Sequence, residues 1–460
     1  MTTGTTRLAR LCVAGVFATL PVFAAPPASA VTPPAVDDSL LPKPEPPAPP
    51  QLTEQHARCV TAPAAGAGTP AAGQLSDLNL HDVWRLTRGA GQTVAVVDTG
   101  VSRHRLLPHL VPGGDYVSTS DGTEDCDGHG TVVAGIIGAE PDSEGSTFSG
   151  VAPEATIVSI RQSSNKFRAA NDPSAAGFGD VDTLARAVRT AADLGATVIN
   201  VSSIACLPTD GDLDDRPLGA ALAYAVDVKN VVVVAAAGNV GGPGQCPEQN
   251  PASDPARPGL PDWAHVRVVV SPAWYDDYVL TVGSVDASGA PSSFSLAGPW
   301  VDVAAPGEGV VSLDPDGEGL VSALPTDDDP TPISGTSYAA PVVSGIVALV
   351  RSRSPELTAR QVMRRIEETA QRPAAGWDPL VGHGVIDALA AVSGSGTTTP
   401  AVQHPRSRPV ADPDVTPTDG RAPRFAVSGA AVCLAVAVSV IATTMSAARL
   451  RRPANTVPRD

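Results

Sequence analysis

Val94-Ala95-Val96-Val97-Asp98-Thr99-Gly100 is the stretch on which the fold turns. Four consecutive apolar residues line both faces of a strand, the pattern of a strand buried inside a parallel sheet. An acid placed directly after such a strand stands at its carboxyl end, where open α/β sheets gather ligands and chemistry. Outward from this point, strand-like and helix-like runs alternate: Thr93–Val97, Thr131–Gly138, Thr156–Ile160, Val181–Leu194, Thr197–Val201, Leu218–Val228 and Val231–Ala235. The alternation predicts an α/β domain, a doubly wound, mostly parallel sheet with helices on both faces. Leu357–Ala370, begun at Thr358, predicts an amphipathic helix laid over the core.

Two further motifs follow Asp98 in the chain. His129-Gly130-Thr131 opens an apolar run, and Gly335-Thr336-Ser337 opens another, Tyr338 to Ala348, which reads as a buried helix with Ser337 at its N-terminus. Free N–H groups and the helix dipole favour developing negative charge there. Asn239 closes Ala236-Ala237-Gly238-Asn239, just past the apolar run Val231–Ala235, where a side-chain amide can hold an oxyanion. Taken singly, each motif has a plain structural reading. Asp-Thr-Gly marks turns, a lone histidine is usually a hydrogen-bonded fold residue, and Gly-Thr-Ser is often a loop. An aspartic-protease dyad would need a second Asp-Thr/Ser-Gly, and the chain has none. The order Asp98, His129, Ser337 is one of three unrelated chain orders that reach the nucleophile–base–orienter geometry. In that reading Ser337 is the nucleophile and His129 the general base. Asp98 orients His129, while Asn239 and the Ser337 N–H bind the oxyanion.

The set resembles the subtilases, the subtilisin-type serine peptidases, over roughly residues 80–392. Val151-Ala152-Pro153-Glu154-Ala155, Ile199-Asn200-Val201-Ser202, Ala304-Ala305-Pro306-Gly307 and Gly382-His383-Gly384-Val385-Ile386-Asp387 add to the resemblance. Within the family the chain is similar to the mycosins, membrane-anchored peptidases of type VII secretion. Tyr338 directly after the serine, four cysteines in the exported body and an apolar C-terminal segment narrow it so. The resemblance implies a serine endopeptidase acting on an exported protein, in contact with membrane subunits of a type VII secretion complex, and allows a homo-oligomer within it. A structural subunit of that complex, with little required proteolysis, is the alternative. The resemblance also implies that Ser202, Ser203 and Ile204 belong to the segment that pairs with substrate backbone. Ala236, Ala237 and Gly238 would form the facing wall of the first specificity pocket. Ser203-Ile204-Ala205 departs from the usual Leu-Gly-Gly type, which leaves the pocket's preference unassigned. No cofactor is implied, and no full set of metal ligands can be located.

The ends set the compartment. Arg7, Arg10, the apolar Leu11–Phe23 and the small-residue site Ala28-Ser29-Ala30 read as a signal peptide over residues 1–30. Residues 31–79 form a Pro/Ala-rich extension without the periodicity of a folded domain, read as an arm ordered by contact and not as an inhibitory prodomain. Its first part, Val31 to Pro50, reads as a semi-rigid flexible lead. The peptidase domain spans 80–393 and a Pro/Thr/Ser-rich linker 394–424. Phe425–Ala448, uncharged throughout, is long enough for the ~20 residues of a transmembrane helix. Arg449, Arg451 and Arg452 place the tail 449–460 in the cytoplasm and the catalytic body outside.

With Cys12 in the signal peptide and Cys433 in the membrane segment, Cys59, Cys126, Cys206 and Cys246 remain for an oxidising compartment. They permit three connectivities. The mycosin resemblance implies Cys59–Cys126 and Cys206–Cys246. A net charge of −17 argues against a nucleic-acid role. Three long loops stand out, at residues 162–180, 207–217 and 241–270. The second carries Asp210, Asp212, Asp214 and Asp215 and reads as a solvated acidic loop.

Overall fold

The computed structural model describes residues 31–61, 73–141 and 148–394, apart from 212, 243, 253, 255, 256, 318, 327 and 328. The expected signal peptide, linker, transmembrane helix and tail lie outside these residues. Among the described residues no helix is long and apolar enough to cross a membrane.

In chain order the elements that place the site are β1 (Thr53–Gln55), α1 (Leu80–Trp84), β2 (Thr93–Asp98), β3 (Leu110–Asp115) and α2 (His129–Gly138). Next come β4 (Thr156–Arg161), β5 (Phe167–Ala169), α3 (Val181–Asp193), β6 (Val198–Val201), β7 (Ala205–Pro208) and α4 (Arg216–Ala223). The last group is β8 (Val232–Ala236), β9 (Val268–Ser271), β10 (Val279–Val285), β11 (Val303–Pro306), α5 (Thr336–Arg353), α6 (Ala359–Thr369) and α7 (Ala388–Ser393). Seven strands form one sheet in the order β11-β10-β8-β6-β2-β4-β3. Every neighbouring pair is parallel.

The sequence dictates this sheet. Val94–Val97, Val198–Val201 and Val232–Ala236 are buried residue by residue, as strands covered on both faces must be. From β2 the chain crosses to β3 at the edge of the sheet, comes back to β4 beside β2, and then passes β2 to reach β6 on the other side. Right-handed crossovers then put the intervening helices on opposite faces. α2 packs against α5, and α3 packs against α4. The direction of winding changes at β2, so its carboxyl end, with Asp98, borders the crevice where such sheets bind ligands. α6 begins as expected at Thr358, whose side chain accepts from the Gln361 N–H while Gln361 reaches back to complete a capping box.

Both disulfides are present, Cys59–Cys126 and Cys206–Cys246. In the arm, β1 pairs antiparallel with β5, which lies inside the long loop at residues 162–180, and Glu54 forms an ion pair with Arg168 at 2.7 Å. The Val60 N–H donates to the Cys126 carbonyl at 2.9 Å. The lead from Val31 to Pro50 is also engaged, a departure from the sequence reading. Arg189 Nη1 donates to the Pro42 carbonyl at 3.3 Å, the Val31 N–H donates to the Trp263 carbonyl at 3.0 Å, and Leu41 packs on the core. Prolines hold this stretch extended, so few contacts suffice to fix it.

Asp215 corrects the reading of the acidic loop. It is fully buried. It accepts from Ser271 Oγ at 2.5 Å, from Trp274 Nε1 at 2.8 Å and from Tyr275 Oη at 2.8 Å. It serves as an internal bracket between α4 and β9, since a buried carboxylate survives only with such partners.

Candidate active site

Asp98 ends β2 and has no exposed surface. Its Oδ1 accepts from the Thr99 N–H at 2.8 Å and lies 2.7 Å from His129 Nδ1. His129 is the first residue of α2, and a quarter of its side chain is exposed. An Nδ1–H donated to Asp98 leaves Nε2 as the basic atom of the ring. Burial favours the neutral imidazole, but the charge and hydrogen bond of Asp98, with the charges of Asp125 and Asp127 beyond it, prevail. The net effect raises the His129 pKa above its ordinary value. The Tyr338 ring packs against the imidazole, centroids 5.0 Å apart and planes inclined by 43°.

Ser337 is the second residue of α5, in a first turn whose N–H groups have no intrahelical acceptors. Gly335 measures the space in front of it. A methyl group there would stand 3.2 Å from Ser337 Oγ and 3.5 Å from Asn239 Nδ2, so the hydroxyl and the amide bracket one small volume. Asn239 is locked in that pose. Its Oδ1 accepts from the Thr336 N–H at 3.0 Å and from Thr336 Oγ1 at 3.1 Å, which turns Nδ2 toward Ser337. Thr336 Oγ1 in turn accepts from the Gly238 N–H at 3.2 Å. The sequence reading passed over Thr336, although it stands in the middle of the motif that was read.

The residues expected to bind substrate divide into two groups. β6 is an interior strand, with β2 on one edge and β8 on the other, so Ile199–Val201 have no free edge for a peptide. Only Ser202, Ser203 and Ile204, past its end, are placed to meet one. The Ser202 side chain is buried and donates to the Ser337 carbonyl at 2.9 Å, which braces the first turn of α5. Ala236 and Ala237 are buried at the end of β8, and the Ala237 N–H donates to the Val282 carbonyl at 2.9 Å. Gly238, at φ +110°, is crowded. A methyl there would meet Cys246 Sγ at 3.1 Å and Ile204 Cδ1 at 3.2 Å. The Cys206–Cys246 bridge and Ile204 therefore press on the same wall. Among the described residues, no group of three or more His, Cys, Asp or Glu is arranged to hold a metal.

With this geometry in hand, comparison with known proteins assigns the class. Residues 89–384 match the subtilase family of peptidases, and the chain belongs to it, a subtilisin-type serine endopeptidase. Within that family it is a mycosin. It is 58% identical to Mycosin-4 of Mycobacterium tuberculosis (strain ATCC 25618 / H37Rv) over 458 residues, 98% of each chain. Crystalline MycP1 from Mycobacterium smegmatis superposes with a TM-score of 0.74 at 43% identity, covering 80% of this chain and 96% of that one. A chain in the periplasmic assembly of the ESX-5 inner membrane complex does so at 0.75 and 42% identity, covering 81% and 96%.

Proposed function

We propose that this chain cuts peptide bonds with Ser337 as nucleophile, outside the cytoplasm. It is held to the membrane by Phe425–Ala448 and acts on a protein exported by a type VII secretion system. The observations that support this most are His129 bound to Asp98, Ser337 Oγ and Asn239 Nδ2 bracketing one small volume, and the ring of Tyr338, the residue after Ser337, packed on the imidazole. Ser337 Oγ attacks the substrate carbonyl and passes its proton to His129 Nε2, while Asp98 stabilises the imidazolium. The tetrahedral oxyanion is held by Asn239 Nδ2 and the Ser337 N–H. His129 then protonates the leaving amine, and a water activated by the same imidazole releases the acyl group. An amide in this role is worth about 10²–10³ in turnover, so Asn239→Ala should lose that much without loss of fold. The test of the nucleophile is a fluorophosphonate probe, which should label the folded, disulfide-intact domain at Ser337 and fail on Ser337→Ala. Folded wild-type protein that stays unlabelled would refute the reading.

A second role is favoured by the likeness to a chain of the ESX-5 inner membrane complex. In this reading the protein is also a structural part of a secretion complex, and tethering raises its effective concentration there. Deleting the gene should block secretion, whereas Ser337→Ala should permit it and stop only substrate processing. Equal loss of exported protein from both strains, at normal levels of the variant, would mean that catalysis itself is required.

A further inference from the structure

Between Cys126 of the arm disulfide and the end of Asp121–Glu124 stands Asp125, a residue that neither the sequence motifs nor the proposed mechanism uses. Helix α2 begins at His129 after Gly128, which has no side chain to cap it. Asp125 supplies the cap from three residues earlier. Its Oδ1 accepts from the Gly128 N–H at 2.8 Å, and its Oδ2 accepts from the Thr131 N–H at 2.8 Å and Thr131 Oγ1 at 2.7 Å. The remaining bond leaves the helix. Thr99 Oγ1 donates to Asp125 Oδ1 at 2.8 Å and itself accepts from the Gly130 N–H at 3.0 Å. Thr99 follows Asp98, and Gly130 follows His129. One carboxylate thus ties the residue after the orienting acid to the turn that carries the base. Thr131 Oγ1 closes the ring by accepting from the Ser102 N–H at 2.9 Å.

We propose that Asp125 is a positioning residue of this peptidase. Acting through Thr99 and the first turn of α2, it fixes the spacing between Asp98 and His129, and its negative charge adds to the field that stabilises the imidazolium. The proposal rests on the reading of Ser337 as nucleophile. A helix cap alone would serve stability only. Asp125 differs because its fourth hydrogen bond crosses to the loop after β2, and because its carboxylate acts on the His129 ring, although burial raises its own carboxyl above the usual range. The other groups facing His129 are Asp98 from β2, Asp127 from the loop before α2, and Tyr338 from α5. Asp127 is engaged elsewhere, accepting from Ser164 Oγ at 2.5 Å and from the Asn165 N–H at 2.8 Å.

The experiment measures the second-order rate of fluorophosphonate labelling at Ser337 across pH, on the exported domain with both disulfides intact, for wild type, Thr99→Val and Asp125→Asn. Thr99→Val cuts the bridge and keeps the charge. It should slow labelling about ten- to a hundredfold, the scale of a small misplacement of reacting groups, and leave the midpoint of the pH profile where it was. Asp125→Asn removes the charge as well, so its midpoint should move to lower pH. If Asp125→Asn yields too little folded protein, Thr99→Val decides alone. A Thr99→Val protein within about twofold of wild type overturns the proposal. So does a folded Asp125→Asn protein with an unmoved midpoint, which would leave Asp125 a cap and nothing more. Wild-type protein that fails to label removes the triad reading and this inference together. Wild type that labels normally beside unaltered variants removes the inference alone.

Discussion

Strand β8, Val232–Ala236, buries every side chain between two neighbours, whereas strand β1, Thr53–Gln55, pairs on one edge and leaves Glu54 and Gln55 in solvent. The first is ordered by its own composition. Each buried valine is worth about 1.5–3 kcal/mol, and several together fix the strand wherever a sheet can form. The second has no apolar face. It is ordered by what it touches: the backbone of β5, the Glu54–Arg168 pair and the bridge from Cys59 to Cys126. Intrinsic and borrowed order should respond differently to damage.

The largest effect is expected in the sheet. Leu280→Ala, at a fully buried position in β10, should cost about 2–5 kcal/mol in chemical denaturation. A loss below about 1 kcal/mol would mean that the sheet relaxes as freely as the arm. Next comes the joint between the two regions. Replacing Cys59 and Cys126 together by serine should cost about 2–4 kcal/mol. Hydrogen exchange should then quicken at Thr53–Gln55 while the amides of β2, β6 and β8 stay protected. Equal loss of protection in the sheet would make the arm part of the core.

The third prediction concerns His129, which stands three residues after the joint. Its raised pKa means that peptide hydrolysis, which needs the neutral ring, should rise with pH through a midpoint above about 6.5, the value for free histidine. Stability runs the other way. The protonated ring is favoured in the folded state, so its contribution is full below the unfolded pKa and lost as pH rises through the folded one. A rate midpoint at or below 6.5 would show that burial outweighs the carboxylates. The smallest effect is expected in the arm itself. Glu54→Ala breaks an exposed ion pair and should change stability by no more than about 1 kcal/mol in the same denaturation assay. A larger loss would mean that β1 carries its own stability.

The same contrast explains what could be read from the chain. β2, β6 and β8 were legible because burial on both faces writes itself as unbroken apolar runs, and Thr358 was legible because a cap needs only its own helix. Asp98, His129, Asn239 and Ser337 could be singled out because each sits beside such a run. Thr336 and Asp125 were passed over for a different reason. Their work is to hold other residues still, and the hydrogen bonds that do it join positions 97 and 26 residues apart in the chain, for which no local pattern exists. β1 and β5 left no trace of pairing in the sequence, since each is only three residues long and β1 has no apolar face.

The Cys59–Cys126 bridge spans 67 residues and brackets the connection from the arm to α1. If the chain were cut anywhere between residues 61 and 73, the arm would not leave. The product would be a two-chain molecule, joined by one covalent bond, by the β1–β5 pairing and by the backbone bond from Val60 to Cys126. Such a molecule would run as a single band on a denaturing gel without reductant and as two bands with it. Mass measured without reductant would rise only by one water. A maturation cut in this region would therefore be invisible to the usual assay for a released leader, and the cut form would still carry every residue that braces the base.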